Sequence, residues 1–231
     1  MTQMSDDLAK IRARVANALA EASRDADEVL ILAVGKQQSA DAIEAVWAAG
    51  QRHFAENYVR EALAKMDRLI DLDIEWHFVG RIQSNKTRPI AERFDWVHTV
   101  DRAKIAVRLN QQRPPSRPPL NVFIQVRQAG ETRKTGVNPS SVEELARLID
   151  AQPRLRLRGL MTIPPADQLP EHNAEHFRRL RELKARICAR GIMMDSLSMG
   201  MSGDFETAIA NGSTCVRIGT AIFGARRTEA D

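Results

Sequence analysis

Val29-Leu30-Ile31-Leu32-Ala33-Val34-Gly35-Lys36 is the stretch from which the rest of the chain is read. Six apolar residues rich in branched side chains make a strand with no polar face, as a parallel sheet covered on both sides requires. Gly35 breaks the run, and Lys36 stands just past its C-terminal end. Lysine is used sparingly in this chain, 7 residues against 27 arginines. An ammonium beside an apolar strand end is partly desolvated, which lowers its pKa and frees the amine to attack a carbonyl. The strand alone does not distinguish that lysine from a surface residue that follows a buried strand.

Outward from this stretch the pattern repeats. Residues 5–22 have apolar positions at helical spacing, with Ser5 as the expected N-cap. After Lys36, Ser39 caps a helix that Gly50 stops. Further strands are expected at 53–55, 74–79, 95–100, 120–126, 157–163, 196–200 and 214–219. Helices are expected after each, one capped by Asp101, one beginning at Asn138-Pro139 and a long one over residues 170–190. The proline-rich run from Arg113 to Pro119 reads as a stiff, exposed connection. Eight strands, each followed by a helix, is the count of a closed (β/α)8 barrel, with an open doubly wound sheet as the competitor. At 231 residues the chain leaves no room for a second domain. The expectation is an α/β protein with one (β/α)8 barrel domain over residues 1–231 and an extra N-terminal helix.

Composition narrows the function classes. The 43% apolar and 28% charged residues are ordinary for a globular protein. No apolar run approaches the ~20 residues that span a bilayer, and the start, Met1 to Asp7, is not an export signal. Cys188 and Cys215 lie far apart without zinc spacing. A cytoplasmic protein without membrane contact is expected. The net charge of +4 and pI near 9.4 invite a nucleic-acid partner. Yet the densest basic group, Arg178 to Arg190, winds around a helix without the aromatic residues that stack on bases. A solvated helix face, with no specific nucleic acid, is the reading.

Barrel sites lie at the C-terminal ends of the strands. Those ends are Lys36, Glu56-Asn57, His77 to Gly80, Thr99, Gln125-Val126, Met161 to Pro164, Met199 to Ser202, and Arg217 to Thr220. The loops after strands seven and eight, with small residues and the hydroxyls of Ser202 and Thr220, suit an anion. A phosphate opposite a strand-end lysine implies pyridoxal 5'-phosphate (PLP) held as a Schiff base.

Several motifs together resemble the pyridoxal-phosphate homeostasis family. They are Val34-Gly35-Lys36, Ala55-Glu56-Asn57-Tyr58, Trp76-His77-Phe78-Val79-Gly80, Leu157-Arg158-Gly159-Leu160-Met161, Ser198-Met199-Gly200-Met201-Ser202 and Arg217-Ile218-Gly219-Thr220-Ala221. The resemblance runs from about residue 5 to residue 227. It implies the barrel shared with the N-terminal domain of alanine racemase, with PLP on Lys36. It further implies phosphate contacts from Ser202, Gly219 and Thr220, Arg217 facing the pyridine nitrogen, and Asn57 and His77 lining the pocket. Departures are Gly35-Lys36-Gln37-Gln38 where the family has Ser-Lys-Thr-Lys, Ala55 for a glycine, Arg81 after Gly80, and Gly203 where an acidic residue is common.

Other features are set aside. His172-x-x-Glu175-His176 matches an inverted zinc-protease pattern, but sits at the start of an outer helix with no third-ligand motif. Asp204 and Glu206 are expected to complement a helix dipole, and Met193, Met194, Met199 and Met201 to pack in the core or at strand ends. A PLP enzyme such as a racemase needs an acid/base on each face of the substrate carbon and a closed site. One tyrosine, Tyr58, and no second domain argue for a carrier without catalytic residues, which buffers or delivers PLP to apo-enzymes. A monomer is expected, and the alternative is a PLP-dependent amino-acid racemase of low activity.

Overall fold

The computed structural model describes residues 3–127, 136–165 and 173–224. Eight strands close into a barrel in sequence order: β1 (Leu30–Val34), β2 (His53–Glu56), β3 (Glu75–Phe78), β4 (Trp96–Val100), β5 (Leu120–Gln125), β6 (Leu155–Met161), β7 (Ser196–Met201) and β8 (Cys215–Ile218). Every neighbouring pair is parallel, and β8 returns to β1 with Leu32 opposite Arg217. Parallel neighbours need a crossover. The helices supply it outside the barrel: α2 (Ala40–Ala48), α3 (Val59–Arg68), α4 (Thr87–Arg93), α5 (Ala103–Gln112), α6 (Val142–Asp150), α7 (Asn173–Cys188), α8 (Phe205–Ala210) and a short α9 (Thr220–Phe223). This is the (β/α)8 barrel that the strand count predicts.

The period-2 alternation of a strand explains why β1 has no polar face. Ile31 and Ala33 pack into the large apolar layer between sheet and helices, while Leu30, Leu32 and Val34 join Ala55, Val79 and Cys215 inside the barrel. The extra helix, α1 (Gln3–Glu21), lays Leu8, Ile11, Val15, Ala18 and Leu19 against the body and packs on α8 and α9.

Caps agree with the sequence in part. Ser39 Oγ accepts the Ala42 N–H at 3.2 Å, and Asn138 caps the 3-10 turn that leads into α6. Ser5 lies inside α1, which runs from Gln3, and is not its cap. Arg102, not Asp101, occupies the N-cap of α5, with Asp101 paired to its guanidinium at 2.5 Å. Pro170 and His172 lie outside the described residues.

In the proline-rich connection Pro115, Ser116, Pro118 and Pro119 are exposed as expected, and Arg113 departs from that expectation. Arg113 is 2% exposed, and donates to the carbonyl oxygens of Ala91, Phe94 and Pro118 at 2.7–2.8 Å. Arg117 reaches Glu92 O and Asp95. Proline stiffness thus sets these two guanidinium groups as clamps on the end of α4 and the start of β4.

Candidate functional site at the barrel rim

At the C-terminal ends of the strands the barrel opens on a cavity of about 320 Å³. Lys36, Asn57, Ser202, Arg217, Gly219 and Thr220 all line it, with Val34, Val79, Met161 and Ile163 as its apolar wall. Gln38, at one of the positions that depart from the family pattern, lines it too.

Arg217 is buried, and two bonds fix its direction. One amino group donates to Ser198 Oγ at 2.8 Å and the other to Thr162 O at 2.9 Å. No ion pair to it occurs among the described residues. Burial pushes its pKa down, but a guanidinium stays charged at any ordinary pH. A fixed cation, with Asp204 near enough to act on its charge but not ion-paired to it, therefore borders the cavity.

Asn57 lines the same cavity, while its Oδ1 is buried from solvent and has no hydrogen-bond partner among the described residues, a state that costs about 1–3 kcal/mol. Gly80 makes the position possible, since a Cβ there would stand 1.9 Å from Asn57 O. The ends of β2 and β3 can approach only across a glycine.

The loop bearing Ser202 is tied down at both ends. Gly200 has φ +95° and sits where a Cβ would lie 2.6 Å from Ala208 Cβ. Asp204 accepts from Met201 N at 2.6 Å through one oxygen and from Asn173 Nδ2 at 2.7 Å through the other. Asp204 is therefore an anchor for this loop as well as the residue before α8, and Glu206 instead pairs with Arg14 at 2.5 Å.

Sequence reasoning missed the support beneath Lys36. Lys65, buried, donates to Gly35 O at 2.7 Å, to Glu56 Oε1 at 2.7 Å and to Glu61 Oε1 at 2.6 Å. Glu61 Oε1 also accepts the Gln37 N–H at 2.7 Å, and Gln37 adopts the left-handed conformation with φ 61°. The residues flanking Lys36 are thus held by one ammonium and one carboxylate. Burial raises Glu56 from 4.5 to about 7 against the pull of Lys65, and its Oε2 has no hydrogen-bond partner among the described residues. A signal existed: Glu61 and Lys65 stand four apart on a helix, the spacing of a side-chain pair. A Cβ on Gly35 would meet Ile43 Cδ1 at 2.4 Å and Glu56 Oε1 at 2.9 Å, so a larger residue there would require both side-chain ends to shift.

His77 requires a correction. It is fully buried in the barrel interior, hydrogen-bonded to His98 Nε2 at 3.0 Å and His53 Nδ1 at 3.2 Å, and it borders a second cavity at the opposite mouth. Residue 77 points inward, but one layer below Val79, which takes the place at the rim. Among the features set aside, Glu175 is engaged by Arg178 and Arg179 at 2.5–2.6 Å, and Arg178 also reaches Glu182. Met194 and Met199 are buried, Met201 borders the rim cavity, and Met193 is 76% exposed rather than packed.

Fold and rim together define a (β/α)8 barrel with a strand-end lysine, a fixed arginine and small-residue loops in one cavity. The family model described as alanine racemase, N-terminal domain, matches residues 7–227. The pyridoxal phosphate homeostasis protein of Pseudomonas aeruginosa is 51% identical over 228 residues, covering 98% of this chain and 97% of that protein. Its counterpart in Escherichia coli K12 is 46% identical over 229 residues, 98% of each. PipY of Synechococcus elongatus, solved with PLP bound, superposes with a TM-score of 0.85 at 34% identity, covering 96% of this chain and all of that one. Alanine racemase of Corynebacterium glutamicum shares the fold at a TM-score of 0.69 and 17% identity, over 96% of this chain and 61% of its own. The chain belongs to the pyridoxal phosphate homeostasis protein family.

Proposed function

We propose that this chain binds PLP at the C-terminal mouth of its barrel, carries it covalently on Lys36, and serves intracellular PLP homeostasis by holding and passing on the cofactor. The observation that supports the reading is the meeting of Lys36, Arg217, Ser202, Gly219 and Thr220 around one cavity. When bound, PLP supplies an aldehyde open to an amine and a ring that withdraws electrons.

The chain's own residues divide the remaining tasks. Lys36, half-buried past an apolar strand, offers the amine. The Ser202 hydroxyl, with the backbone and hydroxyl of Gly219-Thr220, receives the phosphate. Arg217 would hold the ring side of the cofactor, and its permanent charge would keep a nearby ring nitrogen unprotonated and so weaken electron withdrawal. Asn57 forms part of the wall against which the bound molecule would rest. Racemisation would need an acid/base on each face of a substrate carbon. Tyr58, the chain's single tyrosine, is 53% exposed and does not line the cavity. Apo PLP enzymes are the acceptors this reading calls for. No described helix is long and apolar enough to cross a membrane.

The test mixes PLP-loaded protein with an apo PLP enzyme and follows its recovery of activity, beside a deuterium-exchange assay with L-alanine and L-serine. Transfer from the wild type, its loss in Lys36→Ala, and Cα exchange no faster than with free PLP are expected. Stereospecific exchange that depends on Lys36 would replace the carrier with a racemase.

A further inference from the structure

The mouth opposite the PLP site has its own cluster. His53 and Glu75 are partners in register on β2 and β3, and His77 lies two residues beyond Glu75 on the same inward face. His53 Nδ1 is 3.2 Å from His77 Nε2 and 3.5 Å from Glu75 Oε2. Three ligand atoms thus meet within 4.8 Å of one another, beside a cavity of about 560 Å³.

A histidine–histidine hydrogen bond would use one proton and explain one of these distances. It leaves Glu75 Oε2 3.5 Å from the same nitrogen, too long for a hydrogen bond of ordinary strength. A tetrahedral ion explains both, because zinc–nitrogen and zinc–oxygen bonds of about 2.0–2.2 Å separate neighbouring ligand atoms by about 3.3–3.5 Å. We propose that His53 Nδ1, Glu75 Oε2 and His77 Nε2 form a three-ligand zinc-type site at the N-terminal mouth of the barrel, its fourth position facing the cavity.

Two of the three ligands are held from behind, as metal ligands are. Trp96 Nε1 donates to Glu75 Oε2 at 2.9 Å, and its indole stacks on the His77 ring at 5.3 Å and 8°. With Nε2 given to the ion, His77 carries its proton on Nδ1 and donates to His98 Nε2. His98 then donates through Nδ1 to Ser198 Oγ at 2.8 Å. One tautomer of each ring satisfies the chain. The positive neighbour, Arg158, is paired with Asp195 at 2.8 Å. The lower end of a barrel contributes to stability rather than catalysis, and an ion here would clip β2 to β3.

The experiment is a calorimetric titration of chelator-treated, tag-free full-length protein with ZnCl2, repeated with CoCl2 by visible absorption. Wild type should bind one equivalent and gain thermal stability with added zinc. His53→Ala and Glu75→Ala, both at partly exposed positions, should weaken binding at least tenfold and abolish the cobalt band of a tetrahedral site. His172→Ala/His176→Ala should bind like wild type. Absence of binding up to 1 mM zinc, or equal binding by wild type and His53→Ala/Glu75→Ala, overturns the proposal.

Discussion

Lys65 donates its ammonium to the carbonyl oxygen of Gly35 at 2.7 Å, one residue before the lysine on which PLP is proposed to sit. The same ammonium holds Glu56, fully buried at the end of β2. One side chain therefore links the strand end that presents Lys36 to the strand that presents Asn57.

Removing that ammonium strands a buried carboxylate. Lys65→Met should destabilise the protein by roughly 3–5 kcal/mol at pH 8, and by less at lower pH, where Glu56, freed of the pull of Lys65, is protonated. Urea unfolding at the two pH values measures the difference. An equal loss at both would show that Glu56 is not the group left uncompensated.

Glu56 itself sets a pH dependence. Burial raises its folded pKa from 4.5 to about 7. A raised acid contributes stability that is fully present below its unfolded value and lost as pH rises through the folded one. Between about pH 5 and pH 8 the wild type should lose on the order of 3 kcal/mol relative to Glu56→Gln. A pH-independent difference between the two would contradict the assignment.

The phosphate loops predict a graded loss of affinity. Ser202→Ala removes one hydrogen bond to a charged group, about 1.5–3 kcal/mol or ten- to a hundredfold in the PLP dissociation constant. A Cβ at Gly219 has ordinary room, 3.4 Å from Val34 O, so Gly219→Asp should fold and yet bind PLP worse than Ser202→Ala through like charge. Tight binding of pyridoxal without its phosphate would remove these loops from the account.

The two thiols should behave differently. Burial pushes Cys215 up to about 11, leaving about one thiolate in a thousand at pH 8, whereas Cys188 is only half-buried. Iodoacetamide should label Cys188 alone in the native protein and both thiols in urea, as read by peptide mass. Native labelling of Cys215 would mean that the barrel interior opens.

Legibility in the sequence followed distance along the chain. The apolar run into Lys36, and the glycines and hydroxyls after β7 and β8, are local signals, and the fold brings Lys36, Ser202, Arg217, Gly219 and Thr220 to one rim. His77 misled because the resemblance implied a pocket position and the strand end was counted back to residue 77, whereas β3 sets it one layer below Val79. Arg113 misled because a proline-rich run shows stiffness, not the three carbonyl oxygens waiting for a guanidinium. Lys65 was passed over because its partners, Gly35 and Glu56, lie 30 and 9 residues away.

The central claim is that Lys36 alone carries the cofactor. Borohydride reduction of the PLP-loaded protein, followed by peptide mass mapping, tests it directly. One pyridoxyl group per chain is expected, on Lys36, and none in Lys36→Ala under the same loading. A stoichiometric label on Lys65, Lys86 or Lys134 in the wild type would contradict it.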